Sequence, residues 1–182
     1  MEQFLISLDG IVLFAESYLL VRLTLARDPF FHIPCFPFFI VTGVGGILSV
    51  VGYQIHLRFK ITEEFAWVFK LGYVLNSFGI TLATLGKFCI VVNRFVVLRN
   101  GRLQENLWTR RVTVSLMTLI IILATIRCVP YAFCSYAFIV VNNVLLVTFF
   151  DERCMVTEKP LTSTIYFMYA IANVVLTALS LK

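Results

Sequence analysis

Asp9, Glu16, Lys87 and Arg127 stand inside stretches otherwise suited to hydrocarbon, the first of which also carries Arg22 near its inner end. A charge held within a bilayer is costly. It must pair, change its protonation, reach water, or serve a ligand or ion path. Asp9 and Glu16 are seven residues apart and so share a helix face. At about 1.5 Å of rise per residue, Glu16 sits roughly 18 Å and Lys87 roughly 24 Å below the outer surface, a gap that a lysine stem spans. Asp9 and Arg127 each sit about 8 Å from that surface. Depth therefore permits Glu16–Lys87 and Asp9–Arg127 pairs. Lys87 has a second reading, in which its stem lets the ammonium snorkel to the inner interface. Cys134 and Cys154 are expected on the outer, oxidising side, either as a disulfide or as two free thiols. Cys35, Cys89 and Cys128 fall at or in apolar stretches and read as small hydrophobes. Nothing else resembles a reactive set. His32 and His56 are far apart and no C-x-x-C pair occurs, so no metal centre is expected. There is no G-x-S-x-G elbow, H-E-x-x-H helix or phosphate loop, so neither enzymatic activity nor a cofactor is expected.

The elements that hold these residues follow from composition. Of 182 residues, 60% are hydrophobic and 14% charged. A soluble domain is nearer 45–50% apolar and about 25% charged. A soluble globular domain is thereby disfavoured. So is a nucleic-acid binder, because the net charge is only +5. A membrane-spanning helix needs about 20 apolar residues to cross about 30 Å of hydrocarbon. Five segments satisfy this: residues 4–25, 33–55, 71–92, 112–133 and 161–181. The fold expected is all-α, a polytopic transmembrane helix bundle forming one domain over residues 1–182, with the lipid bilayer as its first partner. The first segment lacks the basic leader and small-residue cleavage site of a signal peptide, so it reads as a retained span.

Lys and Arg in short loops set orientation. With the N-terminus outside, eight basic residues fall inside (Arg22, Arg27, Arg94, Arg99, Arg102, Arg110, Arg111, Lys182) against five outside (Arg58, Lys60, Lys70, Arg153, Lys159). Residues 136–150 are apolar, but as a helix they would reach only about 22 Å. Asn142-Asn143 at their centre suits a two-residue turn, so a β-hairpin over the outer mouth of the bundle is preferred to a sixth span. In the second span, Thr42 with Gly46 and Gly45 with Ser49 are small pairs four apart, which lets helix backbones approach closely. The third span concentrates Asn76, Ser77, Gly79, Thr81, Thr84 and Gly86, as suits a helix at the centre of a bundle.

The third span closes on Cys89-Ile90-Val91-Val92-Asn93-Arg94-Phe95, a basic loop follows, and Asn106-Leu107-Trp108 precedes the fourth span. With Pro37-Phe38-Phe39 opening the second span and residues 53–59, including Arg58, at its outer end, this resembles the nematode serpentine chemoreceptors, most closely the serpentine receptor class gamma superfamily. The resemblance implies a seven-helix G-protein-coupled receptor in the plasma membrane of sensory cilia. Such a receptor binds a small-molecule environmental cue and signals to a heterotrimeric G protein. It implies that Arg94 is the switch residue with Asn93 and Phe95 beside it, and that Arg99 and Arg102 in the inner loop face the G protein. The cue would lie in the outer half, lined in part by Asn76 and Thr81, under the hairpin. The chain departs from that pattern. It ends at Lys182 after five spans, Asn93 stands where an acidic residue would form an ionic lock, and the outer end of the third span has no cysteine. The expectation is a chain that inserts without signalling as it stands. The alternative is a small oligomeric membrane transporter or scaffold subunit, for which the intramembrane charges argue and the lack of an internal repeat argues against.

Overall fold

A computed structural model describes residues 2–25, 36–58, 66–99, 108–133, 136–141 and 144–149, together with ten helical positions between 163 and 178. Four helices run in order, α1 (Glu2–Leu25), α2 (Phe36–Arg58), α3 (Ala66–Arg99) and α4 (Arg110–Phe133), followed by strands β1 (Tyr136–Val141) and β2 (Val144–Phe149). Large apolar side chains remain on the outside of the packed helices, among them Phe14 and Leu19 on α1 and Val114, Leu119, Ile122 and Ile126 on α4. A helix apolar on every face suits hydrocarbon rather than water. Phe36–Ile55, Trp67–Arg99 and Arg110–Tyr131 are long and apolar enough to cross a membrane.

Local chemistry fixes the helix ends. α2 is described from Phe36, with Pro37 in its first turn, and residues 33–35 of the expected second span lie outside the described residues. Proline is tolerated there, because its missing N–H would have no helical partner anyway. α3 has 34 residues where the span expected was 71–92. At about 1.5 Å per residue it is about 51 Å long, well beyond the bilayer core. Hydropathy marks the length that lipid requires, and helical backbone continues past it through polar residues at both ends. Thr109 caps α4: its Oγ1 accepts from the Val112 N–H at 3.4 Å, and its carbonyl accepts from the Thr113 N–H at 3.0 Å. On the exposed surface of α4, Thr118 and Thr125 donate their hydroxyls to the carbonyls of Val114 (3.0 Å) and Ile121 (2.9 Å). A hydroxyl facing apolar surroundings is satisfied in this way within its own helix.

The principal seam joins α2 to α3, which run antiparallel. Its register places Gly45 against Gly79 and Ala83, Gly52 against Gly72 and Asn76, and Gly86 against Thr42. A methyl group on Gly45 would lie 2.6 Å from the Ala83 nitrogen and 2.7 Å from the Gly79 carbonyl oxygen; one on Gly79 would lie 2.5 Å from the Gly45 carbonyl oxygen. No side chain fits such gaps, so backbone rests on backbone. Gly45 and Gly52 are seven apart, as are Gly72, Gly79 and Gly86. Seven residues make nearly two turns, so the bare positions stay on one face as the helices run alongside each other. The small pairs read in the sequence include part of this seam, Gly45 and Ser49; Gly52 and Gly72 complete it. α4 packs on α3, and α1 packs on α2. A cluster of Phe38, Val41, Leu82, Cys89, Ile90, Trp108, Ile120 and Ala124 unites α2, α3 and α4.

The strands form an antiparallel hairpin, with Tyr136 opposite Phe149 and Val141 opposite Val144. Residues 136–141 and 144–149 are thus strands rather than a sixth helix, and residues 142–143 lie outside the described residues. Of the expected fifth span, the described positions from Ser163 to Ala178 are helical and the others lie outside the described residues. Replacing Gly45 or Gly79 with valine must push α2 and α3 apart. Each variant is expected to lose about 1–3 kcal/mol of stability in detergent, read as a lowered Tm. Gly10→Val is the control, since nothing stands within 4 Å of a methyl group there; a fall as large in the control would remove the seam as the cause.

Candidate functional site

Two groups of polar residues lie within the helical core, one near each end of α4. The first surrounds Arg127, which is 9% exposed. Its Nη1 donates to Thr81 Oγ1 at 2.7 Å, and Thr81 in turn donates to the Ser77 carbonyl at 2.8 Å. The neighbouring Cys128 thiol donates to the Val74 carbonyl at 3.6 Å. Tyr131, one turn on, packs its ring 5.7 Å from that of Tyr73. One turn of α4 is thereby fastened to two turns of α3. α3 supplies this side because its hydroxyl residues Ser77, Thr81 and Thr84 are all buried. A charge-assisted hydrogen bond in apolar surroundings is stronger than a neutral one, and losing it is correspondingly costly.

The second group lies at the opposite end, where α3 finishes and α4 begins. Phe38 at the start of α2 meets Trp108 edge-to-face, with centroids 5.4 Å apart and planes at 74°. Asn93 is 6% exposed and Trp108 5%, and among the described residues neither Asn93 Oδ1 nor Trp108 Nε1 has a hydrogen-bond partner. Each such buried atom costs about 1–3 kcal/mol. Arg94, beside Asn93, is exposed, and so is Arg99, whose guanidinium lies 5.9 Å from the centre of the Phe95 ring. Phe95 itself is half-buried.

The residues singled out in the sequence divide among several places. Asn93, Arg94, Phe95 and Arg99 are together on the last turns of α3; Arg102 lies outside the described residues. Asn76 and Thr81 are both engaged between helices. Asn76 Oδ1 accepts the Ser49 hydroxyl at 2.8 Å across the α2–α3 seam, and Thr81 holds Arg127. Lys87 is exposed, on the same face as Arg94, which agrees with a snorkelling side chain better than with a buried partner. Asp9 and Glu16 are helical residues of α1, but their side chains lie outside those described, and so do both proposed ion pairs. Cys134 and Cys154 also lie outside; Cys89 and Cys128 are free thiols. No group of three metal-ligating side chains occurs among the described residues.

Arg127 is legible in the sequence as an intramembrane cation, and its depth match to Asp9 lies outside the described residues; the contact described is to a hydroxyl on the neighbouring helix. Ser49 was read in the sequence as a small packing residue, but not as a hydrogen-bond donor to Asn76. Trp108 was missed as an interior residue and carries no local signal. Thr81→Val should leave the buried guanidinium short of an acceptor and cost about 1–3 kcal/mol. Arg127→Met should restore part of that loss, so a double-mutant cycle read from melting in detergent is expected to give at least about 0.5 kcal/mol of coupling. Strict additivity would mean that the two side chains do not interact.

Comparison of the chain with protein-family models and with curated proteins gave no match.

Proposed function

We propose that this chain is a five-span integral membrane protein of the serpentine-receptor type, with its N-terminus outside, in the plasma membrane of a sensory cell. In this reading it recognises a small-molecule environmental cue and contacts a heterotrimeric G protein through the end of α3 that carries Asn93, Arg94 and Phe95. One observation carries the reading. At that end an exposed arginine follows a buried asparagine whose side-chain oxygen has no hydrogen-bond partner among the described residues. Unsatisfied buried polar atoms are uncommon in folded proteins and concentrate where function requires them. A helix end held at such a cost suits a receptor switch, which needs two arrangements of nearly equal energy. The length and apolar character of α2, α3 and α4 support the membrane setting. The rival reading, an oligomeric transporter or scaffold subunit, takes its support from Arg127, a cation inside the bundle.

The test places a photoreactive amino acid at Arg94 in cells that also make a heterotrimeric G protein. A covalent adduct with the Gα subunit, weaker from the same group placed at exposed Lys70-side position Leu71, is the expected result. In parallel, Arg102→Cys is expected to react with a membrane-impermeant thiol reagent only after the cells are permeabilised. Labelling in intact cells would reverse the topology and end the receptor reading. Correct topology with no adduct would favour the oligomeric rival.

A further inference from the structure

Where α3 ends and α4 begins, arginines and bare apolar side chains occupy the same surface. Arg94, Arg99, Arg110 and Arg111 are all exposed. Arg99 follows Val97 and Leu98, of which Leu98 is 69% exposed, and Arg111 precedes the exposed Val112 and Val114. The pairings Thr81–Arg127 and Tyr73–Tyr131 show that α4 runs antiparallel along α3. Continued along both helices, that register brings the last turns of α3 beside the first turn of α4, so the four arginines stand at one end of the bundle. Among the described residues no Asp or Glu accompanies them there; Arg102 and Glu105 lie in the segment between, outside those residues.

This placement does not serve α4 itself. The first turn of α4 has no acidic residue and starts with two arginines, and cations at a helix N-terminus oppose its dipole. Guanidinium groups next to exposed leucine and valine suit a boundary where acyl chains meet phosphates. The apolar side chains enter hydrocarbon there, and each planar fork offers paired N–H donors to phosphate oxygens.

We propose that the α3–α4 end is a binding site for anionic phospholipid headgroups of the leaflet on its side, with Arg99, Arg110 and Arg111 as the phosphate ligands and Leu98, Val112 and Val114 against the acyl chains. The inference rests on the membrane reading but not on the receptor reading. A cytosolic acidic protein could meet the arginines, but it would leave Leu98 and Val114 in water, so lipid fits both parts of the surface.

The test uses the full chain in nanodiscs of phosphatidylcholine alone or with one-fifth phosphatidylserine. Enrichment of phosphatidylserine around the protein is read from a spin-labelled lipid. Each arginine near an anionic surface contributes about a fivefold preference, so Arg110→Gln with Arg111→Gln is expected to lower the enrichment tenfold or more. Lys70→Gln, at the other end of α3, should leave it unchanged. If the double variant fails to fold, a salt titration of the unaltered chain decides, because the enrichment should fall steeply as ionic strength rises. Equal affinity for the two lipids, or an enrichment indifferent to both salt and these arginines, overturns the proposal. A chain that never enters the nanodisc would instead overturn the membrane reading beneath it.

Discussion

The rest of the bundle depends on the approach of two backbones. In water, helices associate because apolar side chains leave the solvent. In hydrocarbon that drive is absent, and close packing and internal hydrogen bonds must replace it. α2 and α3 meet through Gly45, Gly52, Gly72 and Gly79, where peptide groups come together, and through Gly86, which receives the Thr42 side chain. The closeness of the two helices lets short polar groups reach across, and Ser49 donates to Asn76 at 2.8 Å. α3, fixed along this seam, then presents Thr81 and Ser77 to α4, and Arg127 completes the link. Each connection is a direct contact between groups too short to act at longer range, so widening the first would loosen the later ones.

The two ends of the α3–α4 contact differ in what joins them. Near Tyr131, the hydroxyl, thiol and guanidinium of Thr81, Cys128 and Arg127 take part in hydrogen bonds, and the rings of Tyr73 and Tyr131 lie tilted beside each other. Near Trp108, aromatic packing against Phe38 holds the helices together, and the exposed arginines stand at this end. Among the described residues, buried polar atoms without a hydrogen-bond partner occur at both ends: Ser77 Oγ and Arg127 Nε at the first, where Arg127 is engaged through Nη1, and Asn93 Oδ1 and Trp108 Nε1 at the second. The receptor proposal draws on the second end because there the buried amide stands directly beside an exposed arginine.

Hydropathy made the helices legible, since apolar stretches about 20 residues long have few other uses. It did not give their ends. The polar residues that close an apolar run did not stop α3. The hairpin was legible because fifteen residues are too few for a span and two asparagines stood at the centre. The seam was half legible. Spacing by four drew attention to Thr42 with Gly46 and to Gly45 with Ser49, while the contact repeats by seven, which brings in Gly52 and Gly72. The Arg127–Thr81 hydrogen bond was hidden for a different reason. Sequence arithmetic estimates depth but not which helices are neighbours, and a search for opposite charges passes over a threonine.

The measurement that tests this account most directly is a disulfide between α2 and α3 in membranes. With the native cysteines replaced, Ser49→Cys and Asn76→Cys are introduced together and mild oxidant is added to membranes washed with alkaline carbonate. The account predicts that the chain stays with the lipid and forms an intramolecular bridge that a reductant reverses, whereas Ser49→Cys with Lys87→Cys forms none. A chain released by the carbonate wash, or a bridge that forms only in the second pair, would contradict it.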